Sequence, residues 1–310
     1  MDFLESVFIV IGAGVMFSYL LKTITLLKVL FPKFWYILPM NFFTSMGEWA
    51  VVTGASEGVG RAYALQLAKH GMNVVIISRS IEKLKKTAEE IENTTGKTVQ
   101  VLAADFTKDN VYEPIENALK DLNIGVLVNN VGILPTRIPC KLLDTDSLEQ
   151  RFNEVINCNT KAMMQMCRIV LPGMEKREKG VILNVSSGMA VIPFPTYTLY
   201  TATKACVDTF SQGLQAEYKA KGIIIQVVTP FGISTQMSNY MKPNLITYTP
   251  EDFVQTSLAY LKAGDKTFGS ISHTIIGWIV QMVPIQYFHT EKLQEKLIEF
   301  VKERSGSKTL

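Results

Sequence analysis

The sequence has little that would hold a metal ion or a disulfide framework. Its four cysteines, Cys140, Cys158, Cys167 and Cys206, are not closely paired, and its three histidines are scattered along the chain. Disulfide scaffolds and zinc sites instead show cysteines and histidines at short, regular spacings. We therefore expect reduced thiols in a reducing compartment, and we predict no metal site.

Clustered positive charge is also scarce. The 31 basic and 28 acidic residues give a net charge of +3, and no dense run of lysine and arginine occurs. A nucleic-acid-binding domain usually carries a strongly basic face. The sequence therefore predicts no nucleic-acid partner. It also lacks internal repeats and low-complexity segments, which favours one globular domain.

Apolar residues, by contrast, are abundant: they make up 47% of the 310 residues, and the mean hydropathy is +0.17. Residues 6–21 carry no charge, and residues 23–31 continue the apolar segment with Lys28 as their one charge. A bilayer core requires about 20 apolar residues in a helix. We predict an N-terminal membrane anchor; the alternatives are a buried helix and a signal peptide. The signal peptide fits poorly, because Asp2 and Glu5 lead the segment and no small-residue cleavage site follows.

The residues after this segment predict its orientation. Lysines and a short aromatic run resemble the cytosolic end of a membrane helix, so the following domain should face the cytosol. The residues concerned are Lys22, Lys28, Lys33 and 34–36. Pro32, Pro39 and Asn41 then mark a linker. We predict an anchor and linker over 1–46 and a folded domain over 47–310, with 240–310 as its substrate-binding and C-terminal region.

The domain itself alternates short apolar segments with charged, amphipathic ones. Continuous apolar runs of this length are typical of strands that are buried on both faces of a parallel sheet. The predicted strands cover 49–54, 72–78, 98–105, 125–132, 180–187 and 223–230. Strands that alternate with helices predict an α/β fold, a Rossmann-like doubly wound parallel sheet in a single domain.

The first turn from strand to helix predicts a nucleotide site. Gly54, Gly58 and Gly60 follow the first strand in a TGxxxGxG pattern, with Ser56 and Val59 between them. Glycine allows a tight turn and close approach of the backbone to a pyrophosphate, and the helix N-terminus attracts the anion.

The end of the second strand indicates which dinucleotide binds. NAD-binding folds usually place an acidic residue there, for the ribose 2′-hydroxyl. Here the strand ends with Ser78 and Arg79. A guanidinium suits a 2′-phosphate, so we predict NADP(H), with a solvated surface charge as the alternative for Arg79.

Four motifs together resemble the short-chain dehydrogenase/reductase family. They are TGxxxGxG at 53–60, NNVG at 129–132, the serine Ser187 and YxxxK at 200–204. Their order and spacing match the family over 47–233. The resemblance implies hydride transfer between a nicotinamide and a carbonyl or alcohol, with the catalytic residues Ser187, Tyr200, Lys204 and Asn159.

The chemistry of the tyrosine and lysine is consistent with this resemblance. Tyr200 and Lys204 are four residues apart, so a helix places them on one face. A free phenol has a pKa near 10, and we expect the ammonium to lower the pKa of Tyr200. Tyr200 is then the general acid, and Ser187 donates a hydrogen bond to the substrate carbonyl, so both residues bind substrate.

The resemblance implies the remaining site residues. Lys204 would also hold the nicotinamide ribose, and Asn159 would support a proton-relay water; Asn157 and Ser186 are neighbouring alternatives to Asn159 and Ser187. The other implied cofactor contacts are Asp105, Asn130, Tyr200, Pro230 and Gly232. The family's loop usually reads Pro-Gly, and here Phe231 intervenes.

Several longer segments resemble the 17-beta-hydroxysteroid dehydrogenase branch of the family. The resemblance implies an endoplasmic-reticulum membrane protein and two candidate activities. We favour the reduction of a 17-ketosteroid over that of a very-long-chain 3-oxoacyl-CoA, partly because the sequence ends in SGSKTL, with Lys308, rather than in a dilysine signal. A catalytically inactive NADP-binding scaffold is the alternative of another class. Family members commonly form homodimers.

The substrate region shows less specific patterns. The apolar segment 274–288 contains Trp278, Met282 and Phe288. The alternatives for these side chains are the lining of a steroid pocket, contact with the bilayer surface and packing in the core. The charged segment 291–304 predicts a solvated amphipathic helix.

Overall fold

A parallel β-sheet forms the centre of the computed structural model, which describes residues 3–35 and 37–306. Among these residues the strands of the main sheet are β1 (Trp49–Thr53), β2 (Asn73–Ser78), β3 (Val99–Ala103), β4 (Ile124–Asn129), β5 (Gly180–Val185), β6 (Ile223–Val228) and β9 (Lys266–Thr267). Their order in the sheet is β3-β2-β1-β4-β5-β6-β9, and every pairing is parallel. Two short strands, β7 (Gly232–Ile233) and β8 (Thr247–Tyr248), pair separately.

Helices connect the strands and cover both faces of the sheet. In chain order they are α1 (Phe3–Leu30), α2 (Pro32–Trp35), α3 (Phe42–Met46), α4 (Gly58–Lys69), α5 (Ile81–Thr95), α6 (Tyr112–Leu119), α7 (Leu148–Ile156), α8 (Ala162–Arg177), α9 (Thr198–Tyr218), α10 (Pro250–Ala259), α11 (Ile271–Met282), α12 (Ile285–Phe288) and α13 (Glu291–Gly306). Helices α3, α4, α5 and α10 enclose one apolar core, and α6, α8 and α9 enclose the other.

The sheet confirms the predicted doubly wound fold, and all six predicted strands are present. The prediction missed β9, β7 and β8. Each of these strands has two residues, too few to show either an apolar run or a polar–apolar alternation. Only their neighbours in the folded chain define them.

The N-terminal segment folds as the long helix α1. Its first part, Phe3–Leu21, has a mean hydropathy of 2.0 and none of it is buried, which excludes the alternative of a helix in the protein core. Helix α1 has 28 residues, and at about 1.5 Å per residue this length exceeds the roughly 30 Å of a bilayer core. By length and composition α1 is therefore the one described helix that is able to cross a membrane.

One detail differs from the prediction for the residues that follow. The core already contains Phe42 and Phe43 of α3, so the packed domain begins before the predicted boundary at Met46. The nearby prolines led to the prediction of a linker over these residues, whereas the side chains of Phe42 and Phe43 are buried in the domain. Part of the predicted cytosolic flank and the C-terminal lysine lie outside the described part of the structure, namely the side chains of Lys22, Lys33 and Phe34 and the residues Tyr36 and Lys308.

The C-terminal segment forms a helix without a buried residue between 291 and 305, as its charge pattern suggests, but one face of it borders the main cavity. Helix α13 places Leu297, Phe300, Val301 and Arg304 in the wall of the main cavity. Asn239 Nδ2 donates a hydrogen bond to Ser305 Oγ over 3.1 Å, which ties the end of α13 to the loop after β7. The sequence did not reveal this contact with the cavity, because the apolar residues of the segment are sparse, although they share one face.

Candidate functional site

The site lies where the strands of the sheet end. The carboxyl ends of β1, β4, β5 and β6 border a cavity of about 640 Å³. Strand β2 lies on one side of β1 and β4 lies on the other, so the order of the strands reverses between β1 and β4. The cavity therefore lies at the topological switch point, where ligands bind in doubly wound sheets. Every predicted site residue lines it except Gly60 and Asn159.

The glycine loop after β1 has a conformation that other residues would not tolerate. Gly54 and Gly58 have φ values of +67° and +58°, a region that favours glycine. A Cβ on Gly60 would lie 2.3 Å from the Gly54 carbonyl oxygen. The loop is therefore folded tightly against the first turn of α4, whose N-terminus faces the cavity.

Thr53 and Asn130 hold this loop to the end of β4. The Thr53 hydroxyl accepts hydrogen bonds from the backbone N–H groups of Asn130 (3.0 Å) and Val131 (3.2 Å). The Asn130 amide donates to the carbonyl oxygens of Thr53 (3.1 Å) and Gly54 (3.3 Å). Asn130 thus shapes the glycine loop in addition to lining the cavity.

The far end of the cavity carries a cation and a fixed carboxylate. Arg79 is exposed, lines the cavity and forms no salt bridge within the described part of the chain. The Ser56 and Ser78 hydroxyls lie 3.0 Å apart beside it. Asp105 accepts hydrogen bonds from the Thr107 N–H (3.1 Å) and hydroxyl (2.9 Å), which fix its carboxylate.

A buried tyrosine, lysine and serine form the other end of the cavity. Tyr200 and Lys204 both lie on α9, and the Lys204 ammonium is 5.9 Å from the centre of the Tyr200 ring. Lys204 Nζ donates a 2.9 Å hydrogen bond to the carbonyl oxygen of Val185, the last residue of β5. Ser187, two residues further, lies beside Tyr200, and its hydroxyl influences the pKa of the phenol. The three motifs therefore converge as their spacing predicts.

Burial determines the protonation of this cluster. It raises the pKa of the Tyr200 phenol, and the neighbouring Ser187 hydroxyl offsets only part of that rise. It also lowers the pKa of Lys204 to about 8. Loss of hydration penalises the charged form of each group. The sequence-based expectation of a lowered tyrosine pKa does not hold for the protein alone, because the ammonium lies beside the ring and burial dominates.

The structure distinguishes the two neighbouring asparagines. Asn157–Lys161 form a π-helical turn between α7 and α8. Asn159 points inward from it: its Oδ1 accepts from the Ile133 N–H (2.8 Å), and its Nδ2 donates to the Ile133 carbonyl (3.0 Å) and to Thr203 Oγ1 (3.1 Å). Asn157 turns away and donates to the Thr107 carbonyl over 3.1 Å.

The two adjacent serines also separate. The buried Ser186 hydroxyl donates to the Lys204 carbonyl oxygen over 3.0 Å and so fixes α9 to β5. The Ser187 hydroxyl faces Tyr200 and accepts a hydrogen bond from the Met189 N–H over 3.2 Å. Ser187 is therefore the serine that remains available to a ligand in the cavity.

The loop after β6 closes the floor of the site. The Gly188 N–H donates to the Pro230 carbonyl oxygen over 2.7 Å. The inserted Phe231 stacks on Phe268 with ring centres 5.7 Å apart and occupies the space beside Gly188. The departure from the family's Pro-Gly pattern thus places an aromatic ring under the cavity, while Pro230 and Gly232 still line it.

His273 is a site-forming residue that the sequence did not reveal. It is fully buried, its Nδ1 accepts from the Phe231 N–H (3.3 Å), and its Nε2 lies 3.2 Å from the Ile246 carbonyl oxygen, to which it donates. One neutral tautomer satisfies both bonds. A lone histidine in the first turn of an apolar helix gives no signal of this role, since both partners are backbone atoms of distant loops.

The remaining wall of the cavity is mostly apolar and comes from the C-terminal third of the chain together with the loop after β5. Phe194 and Phe288 lie with ring centres 6.3 Å apart, and Phe288 is the one residue of the predicted trio that lines the cavity. Trp278 and Met282 do not line it. A flat or extended lipophilic molecule is the kind of ligand that such a wall accommodates.

A doubly wound sheet with a glycine loop and a Ser–Tyr–Lys cluster at its switch point defines a nucleotide-dependent oxidoreductase. Residues 48–245 match the family described as short chain dehydrogenase. The chain belongs to this short-chain dehydrogenase family.

Curated relatives match nearly the whole chain. A zebrafish (Danio rerio) protein named 17-beta-hydroxysteroid dehydrogenase type 3 is 55% identical over 98% of this chain and 99% of its own length. The human protein of that name is 44% identical over 96% of this chain and 95% of its own. A very-long-chain 3-oxoacyl-CoA reductase of Anas platyrhynchos is 46% identical over 77% of each chain.

Solved structures share the fold. A short-chain dehydrogenase from Sphingobium yanoikuyae in complex with NADPH is 27% identical, with a TM-score of 0.65 over 71% of this chain and 86% of that one. A 7beta-hydroxysteroid dehydrogenase structure aligns with a TM-score of 0.72 over 80% of this chain and 99% of its own, and at 24% identity it supports the fold alone.

The burial of His273 makes stability depend on pH. Burial lowers its pKa in the folded protein below the usual 6.5, so below that pH the unfolded chain binds more protons and the folded state loses stability. We expect the free energy of unfolding to fall as the pH drops from 7.5 to 5.5. The decrease in the free energy of unfolding with falling pH should be smaller in His273→Gln than in the unsubstituted chain. Part of the decrease should remain, because burial also lowers the pKa of His70.

The measurement is denaturant unfolding of the detergent-solubilised chain at several pH values. The unsubstituted chain, measured at the same pH values, gives the reference slope. An unchanged slope in His273→Gln would show that His273 does not stay neutral in the folded protein.

Proposed function

We propose that the chain is an NADPH-dependent reductase of the 17-keto group of steroids, which converts androstenedione to testosterone. The observation that carries this proposal is the extent of similarity. Proteins named 17-beta-hydroxysteroid dehydrogenase type 3 match 95–98% of the chain. The 3-oxoacyl-CoA reductases match 76–77%.

The residues of the glycine loop and the second strand end fit NADP(H). Gly54, Gly58 and Gly60 leave a cradle that a Cβ would fill, at the N-terminus of α4, and this geometry suits a pyrophosphate. Arg79 would pair with the 2′-phosphate, because it is exposed at the cavity and engaged in no salt bridge within the described residues. Asp105 and Asn130 would border the adenosine half, and Pro230 and Gly232 the nicotinamide half.

The same residues account for the proton in a reduction. When bound, NADPH supplies the hydride. Tyr200 donates a proton to the carbonyl oxygen of the substrate as negative charge develops on it, and Ser187 donates a hydrogen bond to the same atom. Because burial raises the pKa of Tyr200, the phenol is protonated at neutral pH, as a general acid must be.

Lys204 orients this chemistry. Its pKa of about 8 keeps it largely cationic at neutral pH, and its position at the end of β5 suits the hydroxyls of the nicotinamide ribose. Asn159, held in the π-helical turn beside Lys204, would support a water that returns a proton to the lysine. Its own side chain is occupied by Ile133 and Thr203, so its backbone carbonyl is the group available for this role.

The apolar helix α1 supports a location at a membrane. We assign the anchor to the endoplasmic-reticulum membrane, with the catalytic domain facing the cytosol, where NADPH is abundant and thiols stay reduced. A ketone dissolved in the bilayer would then be close to the cavity. A homodimer, the common assembly in this family, completes the proposal.

A direct comparison of turnover distinguishes the steroid from the alternative substrate, a 3-oxoacyl-CoA. Membranes from cells that express the chain receive NADPH and either androstenedione or a long-chain 3-oxoacyl-CoA. We expect testosterone formation that depends on the chain. Turnover of the acyl-CoA alone would assign the protein to fatty-acid elongation, and binding of NADPH without turnover of either substrate would favour an inactive scaffold.

Removing the phenol hydroxyl tests the proton donor. Tyr200→Phe should reduce kcat by roughly 10²- to 10⁴-fold, the usual contribution of a general acid, and leave the Kd of NADPH nearly unchanged. Tyr218→Phe makes the same change on the same helix outside the cavity and should keep full activity. Normal turnover by Tyr200→Phe would contradict the assigned role.

Reversing a charge tests the choice of cofactor. Arg79→Asp should raise the KM for NADPH by roughly 10²-fold or more and favour NADH, because a charge-assisted pair with phosphate is replaced by repulsion. Lys86→Asp is the control, since Lys86 is exposed on α5 and does not line the cavity. An unchanged preference for NADPH in Arg79→Asp would refute the reading of Arg79.

A further inference from the structure

Helix α11 exposes an apolar stripe that the proposed function does not use. Ile271, Ile275, Ile279 and Met282 have exposed fractions of 45%, 45%, 57% and 79%. Their spacings of four, four and three residues place them on one face of the helix. Between Ile271 and Met282 the sequence contains no lysine, arginine, aspartate or glutamate.

The opposite face of α11 is fixed to the domain. His273, Thr274 and Gly277 are buried, and a Cβ on Gly277 would lie 2.2 Å from the Phe268 ring. The stripe therefore cannot turn inward without breaking this close packing. Its exposure is a fixed property of the fold, and an apolar face of this kind marks an interaction site.

The position of α11 identifies what covers the stripe. Helix α11 lies against α1, whose apolar part has the length of a membrane span. At 12 residues, or about 18 Å, α11 is too short to cross a bilayer itself. An uncharged apolar face held beside a membrane helix is continuous with the surface that the membrane already covers.

We propose that α11 lies in the interfacial layer of the same membrane, with its stripe in contact with lipid acyl chains. Val280, on another face of the same helix, lines the cavity. One helix thus separates lipid from the substrate cavity, and the wall that α11 shares with Phe288 and Phe300 opens at the level of the membrane surface. The domain is held on the bilayer at two places, by α1 and by α11.

A depth-sensitive fluorophore tests the lipid contact directly. Cysteine is introduced at Ile275 or at Ile279 of the full chain, labelled with the NBD fluorophore and reconstituted into phosphatidylcholine vesicles. The unsubstituted chain, treated with the same fluorophore, gives the background fluorescence from labelling of Cys140 and Cys206. The matched control is Glu89→Cys, on the exposed face of α5, which packs at the edge of the sheet formed by β2 and β3.

Brominated acyl chains then report contact with lipid. We expect roughly twofold or greater quenching for labels at Ile275 and Ile279 and little for the label at Glu89, because an interfacial helix buries its apolar face to the depth of the upper acyl chains. Equal, weak quenching at all three positions would overturn the proposal. Energy transfer between labelled copies that rises with the protein-to-lipid ratio would also overturn it and assign the stripe to a second copy.

The consequence for substrate entry rests on the proposed function and has its own readout. Ile275→Asp with Ile279→Asp should raise the KM for a vesicle-dissolved ketosteroid by roughly tenfold, since charge withdraws the helix from lipid, and leave the KM for NADPH unchanged. Leu143→Asp, at an exposed apolar position on another surface, should change neither value. An unchanged steroid KM would refute entry through α11, while the quenching result stands independently of any substrate.

Discussion

The buried ammonium of Lys204 is the constraint around which the site is built. Taking a cation out of water is costly unless polar groups replace its hydration. The carbonyl of Val185 does so at 2.9 Å, and the Ser186 hydroxyl holds the Lys204 backbone from the same strand end. The end of β5 therefore fixes the lysine and with it the face of α9 that carries Tyr200.

Other features of the fold follow from making room for this cation. Gly132 leaves space beside it, since an added Cβ would lie 3.3 Å from the ammonium. The π-helical turn brings Asn159 to the same point, where its side chain fastens Ile133 and the Thr203 hydroxyl. These residues come from three separate segments, and their common feature is contact with the lysine or the residues beside it.

The sequence predicted this part of the molecule well because its signals are local. Apolar runs indicate strands that are buried on both faces, and the glycines of 54–60 indicate a turn before a helix. The spacing of Tyr200 and Lys204 indicates neighbours on one helix face. Phe288 in the cavity wall was also among the predicted alternatives. The paired candidates Ser186 and Ser187, and Asn157 and Asn159, needed the structure, because their roles depend on side-chain direction.

What the sequence could not show depends on contacts between distant segments. His273 matters through backbone atoms of Phe231 and Ile246, and α13 lines the cavity because the loop after β7 holds its end. The pKa of Tyr200 rises because burial outweighs the opposing effect of the Ser187 hydroxyl, a balance that spacing does not reveal. The exposed face of α11 also reads as ordinary core until its packing is known.

These observations describe a short-chain dehydrogenase in which the glycine loop belongs to the sheet, whereas the opposite wall of the cavity is assembled from C-terminal helices. The glycine loop, Thr53 and Asn130 are joined by hydrogen bonds within the sheet, whereas the substrate wall is mostly apolar packing. Variation in the second part would change the substrate without disturbing the proton chemistry at Tyr200 and Ser187.

The most direct test of this account is an experimental structure of the full chain in lipid with NADP⁺ and testosterone. We expect the steroid 17-oxygen within hydrogen-bonding distance of both Tyr200 Oη and Ser187 Oγ, with the Lys204 ammonium at the nicotinamide ribose. A steroid oxygen that contacts neither hydroxyl, with Lys204 still bound to the Val185 carbonyl alone, would contradict the account.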